Sequence, residues 1–514
     1  MSEKDNAKTV NKRVLIIAAA VFIAVCSVIL ISNAIAEAKI NKIAQSEDFT
    51  NLEGLSYDEA KEVLLSGDCG ESILTDKEKK VDEKLAGLKA DYTGAYDATV
   101  ILDEKIWETQ LYRFCKDIPK GADLHVHAGA MTTSWDYMEF LKSYDDIYVN
   151  TEFDFTKSTA GQDPLFQKFE EGEIPESYVN LNQGIISGTV DEEYLRSRFL
   201  LQNKPDSQGS WEYYNNIDDF CYENSDYECK KNMYRRAFEA YCDNGVMYVE
   251  PRLNLKAQKE KTVSRLNALL DAYSETKLEH PEFKVRVIAS YNKGLSSDLE
   301  DTKARLVSAA ELSKEVMDTS DTDNPSPFIV GIDLINEEDT SIDLDQYYDI
   351  IHAVTEINPE LKITLHAGES LKVDNDNVID AYLTGADRIG HALCLSRLPQ
   401  LADRFAEEKI TVELCPVSNN VFGYVPDLRS HPGIEFMRNG IPVVIGSDDP
   451  LEMCHEVMTD DFYLAILSWD LTLSDVKKIC QNSIDYSFLN EKDKKELKEN
   501  WSKKWDEFIE KYSS

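Results

Sequence analysis

Eight short β-branched or apolar runs alternate with helical patterns between residues 119 and about 490, and this alternation constrains the fold most. Helical stretches such as 298–318 and 344–357 lie between most of the runs. Alternating β and α units predict a parallel sheet, and eight of them predict a closed (β/α)8 TIM barrel. The runs are Ala122–His127, Val246–Arg252, Lys284–Tyr291, Phe328–Leu334, Lys362–His366, Arg388–His391, Thr411–Cys415 and Pro442–Ser447.

The first two runs are separated by a much longer stretch than any other neighbouring pair. Part of it, about residues 145–232, is rich in Asn, Gly, Asp and Tyr. We expect an insertion into the barrel here, because long connections of this kind often form lids or binding loops. The barrel domain with this insertion is predicted to span residues 119–490.

The N-terminal segment, residues 1–36, has the character of an export signal. Four basic residues precede an unbroken apolar run, Val14–Ile31, and no charge follows until Glu37. A run of this length nearly spans a bilayer core, and the basic end stays in the cytoplasm. Ala34-Ile35-Ala36 also has the pattern of a cleavage site. The segment is therefore a signal anchor or a cleaved signal peptide, and the rest of the chain is expected to be extracytoplasmic, anchored or secreted.

Two further helical regions flank the predicted barrel. Residues 37–118 are charged, have helical periodicity and contain almost no strand signal. Residues 491–514 are rich in Lys and Glu and predict a C-terminal surface helix.

Charge and cysteine content exclude several classes of protein. The net charge is 55 − 95 = −40, which excludes a nucleic-acid backbone partner and a polybasic membrane-surface protein. Ten cysteines in 514 residues are too few for a disulfide scaffold. Cys221 and Cys229 flank a short polar loop; they either pair or remain two thiols.

Polar residues cluster where the predicted strands end. His125 and His127 point to one face of the first strand, because residues two apart in a strand share a face. The ends of other strands carry His366, His391 and Asp448-Asp449. Reactive residues of a TIM barrel lie at these carboxyl ends. Three imidazoles and a carboxylate, with a position left for water, suit one zinc ion.

The chain resembles the adenosine deaminase family of metal-dependent hydrolases, and in particular its extracellular, growth-factor-like branch. The similar segments follow the family's order. They are Pro119–His127, His366–Glu369, Arg388–His391, Glu413–Asn419 and Ser447–Pro450, and for the branch Asp427–Pro432 and Asp460–Tyr463.

The resemblance implies an exported enzyme that hydrolyses adenosine to inosine and ammonia with one Zn²⁺ per chain, and that deaminates 2′-deoxyadenosine in the same way. It implies a small-molecule purine nucleoside as partner and residues 37–118 as a candidate homodimerisation arm. The same arm could equally pack on its own barrel. The implied metal ligands are His125, His127, His366 and Asp448.

The resemblance also assigns the chemistry to particular residues. His391 would act beside the attacking water as base, and Asp448 would orient that water. Glu369 would donate a proton to N1 of the purine. Asp449 would hydrogen-bond N7, the Gly331 backbone N–H would face N3, and Trp211 would be a nucleoside contact or a packing residue.

Two departures from the family leave the sugar preference open. Where the family commonly has an Asp that contacts the ribose, this chain has Ala128-Gly129-Ala130. The segment Ile335–Asp339 lacks the family's usual Gly. One alternative is therefore the same barrel and zinc acting on a modified purine nucleoside or another aminopurine. A second is a non-catalytic, growth-factor-like binding protein.

Overall fold

The computed structural model describes residues 74–155, 157, 161–169, 174–201, 207–220, 227–294, 298–319, 325–370, 372 and 375–513. The predicted export segment, the first part of the helical arm and Cys221 lie outside these residues. Among the described helices, none combines the length and the apolar character needed to cross a bilayer.

Eight parallel strands form one sheet, each paired with the next strand along the chain. A parallel bridge from Val126 to Asp448 joins the last strand's end to the first strand and nearly closes the barrel. The TIM-barrel prediction is confirmed. The strands are β1 (Gly121–His127), β2 (Val246–Asn254), β3 (Lys284–Val285 with Val287–Asn292), β4 (Ile329–Ile335), β5 (Lys362–Ala367), β6 (Arg388–His391), β7 (Thr411–Leu414) and β8 (Val443–Ile445).

Helices after the strands cover the outside of the barrel. The helix Leu299–Glu315 shows how they pack: its buried residues include Leu306, Ala309 and Ala310, at the spacing of one helical face. The α-helices that follow β2 to β8 are Lys259–Thr276, Leu299–Glu315, Tyr348–Ile357, Asn377–Thr384, Pro399–Glu408, Pro416–Val421, Gly433–Arg438, Pro450–Met453, Thr459–Ser468 and Leu473–Asp485. Short 3-10 helices are Leu344–Tyr347, Leu393–Arg397 and Leu428–Ser430, and a small hairpin pairs Met317–Asp318 with Ser326–Pro327.

The long connection between β1 and β2 contains its own small antiparallel sheet. Ile147–Asn150 is the central strand, with Phe166–Lys168 and Tyr178–Asn180 on either side. The helices of this connection are Ser134–Lys142, Leu181–Ser187, Glu192–Phe199, Ser207–Phe220 and Tyr227–Asp243.

The described N-terminal helices pack on the barrel's own helices. They are Asp76–Ala90, Glu104–Trp107 and Gln110–Asp117, with a 3-10 helix at Ala98–Leu102, and the last helix is Glu491–Ser513. Buried Glu78 accepts hydrogen bonds from Lys477 Nζ at 2.6 Å and Trp505 Nε1 at 2.8 Å. These contacts hold the first described helix against two C-terminal helices.

Candidate metal and catalytic site

The carboxyl ends of β1, β5, β6 and β8 bring the predicted site residues together. Nε2 of His125 lies 3.1 Å from Nε2 of His366. The Oδ1 atom of Asp448 lies 3.4 Å from Nε2 of His125 and 3.2 Å from Nε2 of His127. The His391 and His125 ring centroids are 4.8 Å apart. Parallel strands end at one rim of the barrel, so residues far apart in the chain converge there.

These donors form two overlapping groups that could hold a metal ion. Donor atoms of His125, His366, His391 and Asp448 all lie within 4.8 Å of one another. A second group joins His127 to Asp448 and Asp449. The four predicted ligands are therefore divided between two groups that share Asp448, and His391 lies close enough to belong to the first.

Buried carboxylates orient two of the imidazoles. Nδ1 of His125 contacts Glu413 Oε2 at 2.7 Å, and Nδ1 of His366 contacts Asp333 Oδ2 at 2.9 Å. A neutral imidazole that donates from Nδ1 keeps its lone pair on Nε2, which is the arrangement seen in metal-bound histidines. Two such lone pairs facing each other at 3.1 Å require a cation or a proton between them. The donor set therefore fits a metal ion.

Two buried arginines keep the supporting carboxylates charged. Arg252 donates from Nε to Asp333 at 2.7 Å and also contacts Glu413. Arg388 donates from Nε to Glu413 at 2.6 Å. Burial alone would raise the pKa of Glu413, but the two guanidinium charges lower it well below its ordinary value. In the sequence, Glu413 lies in the middle of an apolar strand. A charged residue at such a position indicates a buried ion pair.

The glycine at position 390 allows β6 to approach the His125 ring. A Cβ atom added there would lie 2.7 Å from Cε1 of His125, closer than packed atoms allow. The Gly in Arg388-Ile389-Gly390-His391 thus has a packing role next to a candidate ligand.

Glu369 lies beside the histidines in a dry environment. The residue is 3% exposed, and its Oε1 atom is 3.6 Å from Nδ1 of His391. Burial, followed by the charges of Asp448 and Glu338, raises the pKa of Glu369 well above its ordinary value. A carboxylic acid that keeps its proton near neutral pH can serve as a general acid.

A buried ion pair, which sequence reasoning missed, holds the turn that carries Glu369. Both carboxylate oxygens of Glu338 accept the Gly368 N–H, at 2.9 and 3.0 Å. Lys293 Nζ lies 3.3 Å from Glu338 and donates to the His366 carbonyl at 3.0 Å. These bonds fix the backbone between His366 and Glu369.

The His391 ring is neutral and firmly held. Burial lowers its pKa well below the ordinary value. The side-chain amide of Asn419 places Nδ2 3.1 Å from Nδ1 of His391 and Oδ1 3.1 Å from Nε2 of His431. Asn419, which follows the Glu413–Pro416 segment, thus contacts the candidate base.

Backbone conformation at the site is unusual at three positions. Asn336, His391 and Asp448 have positive φ angles of 99°, 63° and 57°. Non-glycine residues rarely adopt such angles, and those that do are enriched at functional sites. All three residues line the same cavity.

This cavity has a volume of about 200 Å³ and opens over the histidines. Glu369, Asp449 and Trp211 are among the residues that line it. Trp211 stacks on Phe422 with centroids 4.3 Å apart and donates from Nε1 to the Tyr424 hydroxyl at 2.9 Å. Trp211 therefore lines the wall of the cavity and packs at the same time.

Gly331 is the predicted site residue that the structure does not bring to the cavity. It lies early in β4, paired with Ile288 and Lys362, and is not a lining residue. The strand continues to Ile335, and Ile335 together with Asn336, the next residue, lines the cavity. Asn336 occupies a left-handed conformation without being glycine, in the segment Ile335–Asp339 that lacks the family's usual Gly.

Comparisons with known proteins agree with this geometry. The family model described as adenosine deaminase matches residues 202–504. Adenosine deaminase 2 of Dictyostelium discoideum is 26% identical over 420 residues, covering 78% of this chain and 75% of the relative. Adenosine deaminase 2 of Homo sapiens is 27% identical over 499 residues, covering 88% and 94%.

Three solved structures with the same fold illustrate the structural similarity. Adenine deaminase from Arthrobacter aurescens has a TM-score of 0.52 at 18% identity and covers 76% of this chain and 99% of its own. The Arabidopsis ADAL protein complexed with IMP has a TM-score of 0.55 at 16% identity and covers 77% and 99%. A Burkholderia ambifaria amidohydrolase with bound Zn has a TM-score of 0.55 at 16% identity and covers 80% and 97%.

Proposed function

The chain belongs to the adenosine deaminase family, in its growth-factor-like branch, and on this basis we propose that it hydrolytically deaminates adenosine to inosine, and 2′-deoxyadenosine to 2′-deoxyinosine, with release of ammonia. It is a hydrolytic deaminase by family. The single observation that carries the substrate proposal is the dry carboxylic acid of Glu369 beside a cluster of three histidines and Asp448.

Zinc is the proposed metal, one ion per chain, and the proposed ligands are His125, His127, His366 and Asp448. A bound zinc ion supplies Lewis acidity, which makes a water molecule reactive near neutral pH. Carboxylates behind the His125 and His366 rings keep both Nε2 lone pairs aimed at the site.

The remaining chemistry belongs to side chains of the chain. His391, neutral because it is buried, accepts a proton from the attacking water, and Asp448 orients that water. Glu369 donates its proton to N1, which makes C6 more electrophilic. The water oxygen bonds to C6, and His391 passes the proton it accepted to the amino group. The C6–N6 bond then breaks, ammonia leaves, and the hydroxyl proton on C6 returns to the Glu369 carboxylate as the C6 carbonyl forms. Asp449 holds N7, and Trp211 forms one wall of the nucleoside site.

A second candidate function is the same reaction on another aminopurine. The structural neighbours support this alternative. They include an adenine deaminase and a protein complexed with IMP, a nucleotide. In this chain, Ala128, Gly129 and Ala130 line the cavity where the family commonly has an acidic sugar contact. The net charge of −40 disfavours a phosphorylated substrate.

A substrate panel tests the proposal. The zinc-loaded protein is given adenosine, 2′-deoxyadenosine, adenine, AMP and N6-methyladenosine at equal concentrations, and ammonia release is measured for each. We expect the highest kcat/KM for the two nucleosides. Turnover of adenine or AMP with adenosine inert would replace adenosine as the substrate.

We also propose export and self-association, which rest on the sequence. Residues 1–36 would anchor the protein or be cleaved near Ala36, leaving the enzyme outside the cytoplasm. A reporter active only outside the cytoplasm, fused after residue 36, should be active; an inactive reporter would contradict export.

Residues 37–118 would form the homodimer contact. A monomer mass for residues 37–514 at every concentration in sedimentation would contradict this dimer.

A further inference from the structure

We propose that the carboxylate of Glu452 binds a hydroxyl group of the nucleoside sugar and thereby selects a nucleoside over a free purine base. The inference rests on the proposed function, because it assigns part of the same cavity to the sugar. It concerns a residue that the proton transfers described above do not use.

Glu452 lies one helical turn beyond Asp449, in the short helix Pro450–Met453. Its own N–H donates to the Asp449 carbonyl at 3.2 Å, and its carbonyl accepts the Leu201 N–H at 2.7 Å. The backbone at Glu452 is thus fixed from two directions.

The same helix lies directly against the segment after β1. The Leu451 N–H donates to the Ala130 carbonyl at 3.0 Å. Residues 128–130 line the cavity but offer only alanine and glycine side chains, none of which can hydrogen-bond. Glu452 lines the cavity beside them and supplies the carboxylate that this segment lacks.

Burial would strengthen a hydrogen bond between the Glu452 carboxylate and a hydroxyl group of the substrate. The residue is 2% exposed. An ionised carboxylate has about four lone-pair positions, so it can accept a substrate hydroxyl in addition to its contacts within the protein. A hydroxyl-to-carboxylate hydrogen bond is stronger than a neutral one, and more so away from water.

The chemistry of the purine ring places the sugar near this residue. The sugar leaves the ring at N9, on the same five-membered ring as N7, while N1 lies at the far end of the base. Glu369, proposed to contact N1, and Asp449, proposed to contact N7, would set the orientation of the purine in the cavity. The next acidic residue after Asp449 is Glu452, which lines the same cavity one helical turn further along the chain.

A substrate–protein double-mutant cycle tests this assignment. We would measure kcat/KM of the wild type, Glu452→Gln and Glu452→Ala on adenosine and on 2′-, 3′- and 5′-deoxyadenosine. We expect Glu452→Ala to lower the value for adenosine about 10- to 100-fold, the range for a lost hydrogen bond to a charged group. The analogue lacking the contacted hydroxyl should be unaffected by the substitution, and Glu452→Gln should fall between. Glu212→Gln, which removes an exposed carboxylate next to Trp211, is the matched control and should leave all four values unchanged.

A binding measurement gives a readout that does not require turnover. Inosine and hypoxanthine differ only by the sugar, and calorimetry with each would show tighter binding of inosine to the wild type. Glu452→Gln, which keeps the side chain's shape, should reduce that preference about 10-fold or more.

The outcomes separate this inference from the proposed function. An equal loss on all four nucleosides, or an unchanged preference for inosine, would overturn the role of Glu452 while adenosine deamination stands. If the wild type turns over none of the nucleosides, the proposed reaction fails, and the inosine–hypoxanthine comparison still decides the role of Glu452. Binding of neither purine would overturn both.

Discussion

Two buried glutamates in the barrel have opposite protonation because they have different neighbours. Glu369 faces other acids and keeps its proton, whereas Glu413 lies between Arg252 and Arg388 and stays ionised. The sequence predicted the role of Glu369 from its motif. It could not predict the pairing of Glu413, because its two arginine partners come from β2 and β6, far away in the chain.

We expect Glu413→Gln to destabilise the protein by about 3–5 kcal/mol, because it breaks a buried ion network and leaves arginine charge uncompensated. Urea unfolding of the two proteins measures the difference. Glu435→Gln, at an exposed position, is the control and should change stability by less than about 0.5 kcal/mol. Equal stability of Glu413→Gln and wild type would contradict the network's importance.

The pH profile depends on Glu338, whose charge helps to raise the pKa of Glu369. Glu369 must be protonated to donate, so activity falls as the pH rises through its pKa. Glu338→Gln removes a negative charge, which lowers that pKa and should move the alkaline limb of kcat/KM to lower pH. The rate profile of both proteins measures this shift. An alkaline limb that moves to higher pH would show that Glu369 is not the group being titrated.

At the scale of elements, the eight predicted strands correspond to the eight observed ones, while boundaries differ. The last strand is only Val443–Ile445, because Ser447 and Asp448 already turn into the site. The resemblance assigned Gly331, which lies early in β4 and does not line the cavity, whereas the left-handed Asn336 just after the strand does. Hydrophobic periodicity marks the strand but not this residue. Hydrophobic pattern therefore predicts elements well and turn geometry poorly.

The helix Asp76–Ala90 gives an element-scale prediction through Glu78. Burial would raise the pKa of Glu78, but hydrogen bonds from Lys477, Thr75 and Trp505 outweigh it and lower the pKa to about 2. Because the folded pKa lies below the ordinary value of 4.5, this stability is full above pH 4.5 and is lost as the pH falls toward 2. Glu78→Gln should thus cost about 1.5–3 kcal/mol at pH 7 and much less near pH 2. Thermal unfolding at both pH values checks this; an equal cost at both would contradict the ionised contact.

At the scale of the whole molecule, a metal that binds only the folded barrel should stabilise all of it. At a zinc concentration 1,000-fold above Kd, binding raises the free energy of unfolding by about 4 kcal/mol. Chelation should therefore lower Tm and abolish activity together, and added zinc should restore both. Loss of activity without a change in Tm would place the metal outside the folded core.

Because the family identifies the chain as an enzyme, a purely non-catalytic binding role is set aside.

The most direct measurement follows the ultraviolet change as adenosine becomes inosine, using zinc-loaded residues 37–514. Wild type, Glu369→Gln and the exposed control Glu435→Gln would be compared under one set of conditions. Loss of a positioned general acid costs about 100- to 10,000-fold, so Glu369→Gln should lose at least that much kcat while the control keeps its rate. Comparable turnover by Glu369→Gln, or no turnover by a zinc-loaded wild type, would contradict the account.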